Sequence, residues 1–92
     1  MYCMDPTDAR LKRETVKWLE GLEKEIARGI EINGQKIKKG EIQSEALDNI
    51  LAYVSDCRHF LFKNDLVNAF EAVVYAWGIY ETCVRLDLLR KK

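Results

Sequence analysis

Apolar side chains recur along this chain at three- and four-residue steps, in three stretches parted by polar breaks. That is the period of helices that bury one face. In the first stretch Leu11, Thr15, Trp18, Leu19, Leu22, Ile26 and Ile30 fall on one narrow stripe, with Lys12, Arg13, Glu20, Lys24 and Arg28 elsewhere. Asp5-Pro6-Thr7-Asp8 marks its start. Asp5 can cap, Pro6 fits the first helical position, and Asp8 suits the positive end of the dipole. Asn33-Gly34 offers the left-handed residue that ends a helix. The pattern predicts a helix over about 6–32.

The period returns over about 41–62, with Ala46, Leu47, Ile50, Tyr53, Val54, Cys57, Phe60 and Leu61 on one face and His59 almost opposite. Lys63-Asn64 breaks it, and Asp65 can cap a third helix over about 65–89, the most apolar part of the chain. Leu66, Phe70, Val73, Trp77, Tyr80 and Val84 form the main stripe of that helix. So short a link makes the second and third helices antiparallel neighbours.

Three amphipathic helices predict an all-α fold, an up-and-down antiparallel three-helix bundle, because only mutual packing hides all three stripes. With 92 residues the chain is expected to be one domain over 1–92, since a second core would need roughly twice the length. Gln35 to Gly40, with its lysines around Ile37, reads as the loop between the first two helices. In the alternative, IEINGQKIKK forms a small hairpin about Asn33-Gly34, although two isolated strands are marginal in water.

Composition narrows the function classes. Fifteen basic and fifteen acidic residues cancel, which removes any global attraction to nucleic acid or an anionic membrane. No apolar run approaches the ~18 residues of a membrane span. The opening MYCMDPTDAR lacks the basic start and apolar region of a signal or transit peptide, so a cytoplasmic protein is expected. Cys3, Cys57 and Cys83 are odd in number and show no C-x-x-C spacing, which argues against a disulfide framework. With the single His they also make a poor zinc site.

Candidate chemistry is sparse. Cys57 and His59 invite a nucleophile and base reading, but residues two apart on a helix point away from each other. Glu71 and Glu81 sit in the most apolar helix, and Glu81 lies near its core face. An acid or base role would need a cleft and a second converging polar group. No catalytic residue, cofactor or metal site is assigned.

Two surfaces stand out. The third helix should return to the end where the first loop lies, which gathers Lys36, Lys38, Lys39, Arg85, Arg90, Lys91 and Lys92 into one basic pole. Such a pole could meet an RNA backbone or an acidic protein, although cations also favour helix C-termini and no aromatic stacking platform accompanies the lysines. The third helix also carries a second stripe of Ala72, Tyr75, Ile79, Cys83 and Leu86, beyond what one core face needs. Ala69, Ala72, Ala76 and Gly78 would let another backbone approach, and Gly78 costs up to ~1 kcal/mol of helix stability relative to Ala. A symmetric homodimer through this helix is the expected association. The contrasting expectation is a central third helix with both faces covered by a wide first helix and the Lys-rich loop.

Asp56, Phe60, Asp65, Ala69-Phe70-Glu71-Ala72, Tyr75-Ala76-Trp77-Gly78 and Arg85-Leu86, in that order and spacing, resemble an archaeal family known as domain of unknown function number 357. The likeness is close over the last third of the chain and looser through the first two helices. Where the family tends to show Leu-Asp-Ala-Gly after the aromatic-Gly pair, this chain has Tyr80-Glu81-Thr82-Cys83, and a later family glycine is replaced by Asp87. The resemblance implies an archaeal cytosolic three-helix bundle with no assigned activity. The reading taken forward is a non-enzymatic interaction or self-association module. An RNA-associated accessory domain using the basic pole and an enzyme using Glu71 or Glu81 are the alternatives.

Overall fold

The computed structural model describes residues 6–27, 30–31 and 42–91. Within them α1 spans Pro6–Ala27, β1 Ile30–Glu31, α2 Ile42–Phe62, α3 Leu66–Arg85 and β2 Arg90–Lys91. The helices pack as a three-helix bundle, and each buries the centre of its expected apolar stripe, although Trp18 of the α1 stripe is 39% exposed. Thr15, Leu19 and Leu22 are buried from α1, Ile50, Val54 and Cys57 from α2, and Leu66, Val73 and Tyr80 from α3. Fully burying one large aliphatic side chain contributes roughly 1.5–3 kcal/mol, so Leu22, Ile50 and Leu89, each at 0% exposure, anchor the core. Thr15, buried in the core, donates its hydroxyl back to the Leu11 carbonyl at 2.7 Å, which removes the penalty of an unpaired polar group.

α3 is central. It packs along α2 and against α1, while α1 and α2 barely meet. Antiparallel packing of α2 and α3 is set by the turn between them. Asn64 takes a left-handed conformation, φ 57°, and the Asp65 and Asn64 N–H groups donate to the carbonyls of Phe60 at 2.8 Å and Leu61 at 3.0 Å. This pair of bonds closes a Schellman motif. Asp65 then caps α3 by accepting from the Asn68 backbone N–H at 3.4 Å and from its side-chain amide at 2.7 Å. About this turn Tyr53 and Tyr75 come level, with ring centroids 5.5 Å apart.

Two helix ends differ from the sequence expectation. α1 ends at Ala27 rather than near residue 32, and Ile30 lies in a strand instead of on the α1 stripe. α3 ends at Arg85 rather than 89. There Asp87 adopts φ 60°, and the N–H groups of Leu88 and Asp87 donate to Cys83 at 2.8 Å and Val84 at 3.1 Å, a second Schellman closure. The chain turns back, buries Leu89 completely, and pairs Arg90–Lys91 antiparallel with Ile30–Glu31. The extended Ile30–Glu31 segment therefore has the C-terminal residues as a partner. The Lys36–Lys39 half of the suggested hairpin, the Asp5 cap, the Asn33-Gly34 stop and Cys3 lie outside the described residues.

Candidate interaction surface

α1 and α3 run parallel and are joined by two polar contacts. The Trp77 indole N–H donates to the Trp18 carbonyl at 2.8 Å, and three residues on, the Tyr80 hydroxyl donates to the Glu25 carboxylate at 3.1 Å. Trp18 also packs on Phe70, with centroids 5.4 Å apart. Burial, reinforced by the neighbouring Glu25 carboxylate that accepts its proton, pushes Tyr80 up to about 12. Burial alone pushes Cys57 up to about 11 and raises Cys83. Both are free, buried thiols, held in the neutral form that is the poor nucleophile.

The residues of the second α3 stripe separate in the structure. Ala72 and Cys83 are 5% and 7% exposed and belong to the core, with Ala72 in the seam beside Tyr53, Asp56 and Phe60 of α2. Ile79 is half-buried against that core. Tyr75 and Leu86 are open, at 53% and 65%. Ala69 and Ala76 are fully buried as well, so three of the four small residues serve packing inside the chain. Gly78 does not. It is exposed, and a Cβ placed there would meet no atom within 4 Å. Around it Val74, Tyr75, Ile79, Thr82 and Cys83 line a shallow apolar depression, continued toward the start of the helix by the exposed Val67. The free face of α3 is thus centred on Gly78, half a turn from the buried Ala76.

A second depression, about 280 Å³, opens between α1 and α3, lined by Lys17, Trp18, Trp77 and Glu81. It passes unnoticed in the sequence because its residues come from two helices about sixty positions apart. Glu81 is exposed on its rim, and Glu71 is exposed beside the α2 seam. Among the described residues neither carboxylate has a hydrogen-bonded partner, so the geometry assembles no acid–base pair. Cys57 is buried while His59 is exposed and sits edge-on to Phe60. No group of three His, Cys, Asp or Glu side chains able to hold a metal ion occurs among the described residues.

Of the basic pole, Arg85 is exposed in the last turn of α3, and the Arg90–Lys91 backbone lies beside β1. Lys36, Lys38, Lys39 and Lys92 are outside the described residues. Among the described residues no helix is long and apolar enough to cross a membrane.

The three packed helices and their capped turn can be set against known proteins. A family model described as "Protein of unknown function (DUF357)" matches residues 17–89. The chain belongs to this family. Among solved structures, the DUF357 chain is similar to protein AF1782 from the archaeon Archaeoglobus fulgidus, itself assigned to DUF357, with a TM-score of 0.77 and 40% identity. The match covers 94% of this chain and 99% of that one. No curated protein matches. DUF357 carries no assigned activity, so functional argument for this member rests on its own surfaces.

Proposed function

We propose that this protein is a small cytoplasmic, non-enzymatic interaction module that self-associates through the free face of α3. The observation that carries the reading is Gly78. A glycine in mid-helix costs up to ~1 kcal/mol relative to alanine, and here no contact among the described residues requires one, since a Cβ at position 78 would meet none of their atoms within 4 Å. Apolar exposure gathers at the same place through Val74 and Tyr75. Removing a side chain at the crossing point of two helices lets their backbones approach more closely, a gain realised only when a second helix is present.

Sedimentation equilibrium on the full chain from ~10 µM to ~1 mM tests this. The free face of a single helix falls below the ~800 Å² per partner of standard interfaces, so dimerisation is expected in the upper part of that range. Gly78→Lys meets open space in the monomer and should leave the helical circular dichroism intact while abolishing the dimer. A wild-type chain that stays at its 10.7 kDa monomer mass throughout would overturn the reading.

A further inference from the structure

Resting on that reading, we infer that the second copy docks antiparallel on a two-fold axis beside Gly78, so that Glu71 of each copy pairs with Arg85 of the other. Glu71, Gly78 and Arg85 are spaced by seven residues. On an α-helix each such step advances the chain by about 10.5 Å and turns it by only about 20°, so all three lie along one line of α3. Each is exposed, and neither charged group has an ion-pair partner among the described residues. The line runs down the side opposite the buried Ala69 and Ala76, with Glu71 at its edge beside the α2 seam.

Charge then selects the direction. A parallel pairing in register would set Glu71 against Glu71 and Arg85 against Arg85, which is repulsive twice over. Reversing one helix about Gly78 exchanges positions 71 and 85 and makes two equivalent attractive pairs, the self-complementarity a two-fold interface requires. The same operation sets the flanking residues on each side of the seam against one another. Tyr75 falls beside Thr82 of the second copy, an aromatic ring against a β-branched side chain with a methyl group to pack. Val74 falls beside the aliphatic stem of Glu81 of the second copy, on the other side of the seam. At the centre the two Gly78 positions face each other without side chains, so the helices can close until these flanking pairs touch.

Charge reversal on the full-length chain, read by sedimentation equilibrium, decides the matter. Glu71→Arg and Arg85→Glu should each weaken self-association by about tenfold or more, because every reversal creates two like-charge contacts per dimer. The double variant carrying both changes should recover wild-type association to within about threefold, because the pairs reform with their signs exchanged. An equimolar mixture of the two single variants should form a heterodimer more readily than either forms a homodimer. Wild-type dimerisation that both single reversals leave unchanged, or that the double variant fails to recover, would overturn the antiparallel pairing while leaving self-association standing. Absence of any wild-type dimer would overturn both.

Discussion

Trp77 donates its indole N–H to the main-chain carbonyl of Trp18 at 2.8 Å, across 59 positions of sequence. A side chain of α3 therefore holds the backbone of α1, and together with the Tyr80–Glu25 bond one turn on it sets the register of two parallel helices. Trp77→Phe keeps most of the ring's apolar surface but removes the donor. Its expected cost is about 1–2 kcal/mol, combining a net hydrogen bond with a small packing loss. Urea unfolding checks this, with a lower midpoint and an unchanged m-value as the signature of a pure stability effect. Tyr80→Phe should cost about the same or less, because Glu25 is only partly buried and can turn to water.

Buried weak acids impose a direction on the alkaline stability of the fold. Cys57 moves from 9.0 to about 11 on folding, and Tyr80 from 10.0 to about 12. Over these windows the native chain keeps protons that the unfolded chain has released, so unfolding gains as pH rises. The contribution of Cys57 is fully present below pH 9 and is lost as pH climbs through 11, and that of Tyr80 follows one unit later. Each group contributes a slope of at most about 1.4 kcal/mol per pH unit. Urea midpoints should hold up to pH 9 and fall beyond it, and Cys57→Ala, though less stable throughout, should show a shallower fall between pH 9 and 11. A midpoint that rises over that interval would contradict the burial of these groups.

Most of the bundle is legible in the sequence because it depends on local rules. The stripes through Leu22, Ile50, Cys57, Val73 and Tyr80 follow helical period, and each of these residues is buried. Asp65 was readable as a cap because a carboxylate just before an apolar run has little else to do there. The ends of α1 and α3 were less legible because tertiary contacts set them. Leu88 and Leu89 continue the apolar pattern of α3, so period alone extends the helix through them. Their true place depends on Asp87 at φ 60° and on a strand partner about sixty residues away. On the surface, sequence alone groups the small residues of α3 together. The structure divides them, giving Ala69, Ala72 and Ala76 to the core and leaving Gly78 outside, because which helix covers which face is a property of the assembled bundle.

The α2–α3 turn offers a direct test of that local logic. Asn64 sits at φ 57°, where residues with a Cβ are strained by roughly 1–2 kcal/mol and Asn is better tolerated than most. Asn64→Gly should be neutral or stabilising by up to ~0.5 kcal/mol, the relief of strain being offset by greater freedom in the unfolded chain. Asn64→Val places a β-branched side chain in the left-handed region and should cost ~2 kcal/mol or more. Thermal unfolding of the three chains should rank Gly at or above Asn and both well above Val.

Two helical glycines give the sharpest separation between stability and association. A Cβ at Gly21 would lie 3.5 Å from Cζ2 of Trp77, an ordinary van der Waals distance, and one at Gly78 would meet nothing. Gly21→Ala and Gly78→Ala should therefore each stabilise the monomer, by up to ~1 kcal/mol from helix propensity, when unfolding is followed at low micromolar concentration. At high concentration the two should diverge. Gly21→Ala leaves the free face of α3 untouched and should self-associate like the wild type. Gly78→Ala places a methyl group at the centre of the crossing, on both copies at once, and should weaken the dimer severalfold while its monomer is the more stable. Equal dimerisation of the two variants would mean that the glycine at position 78 serves no close approach, and the cost it imposes on α3 would then need another cause.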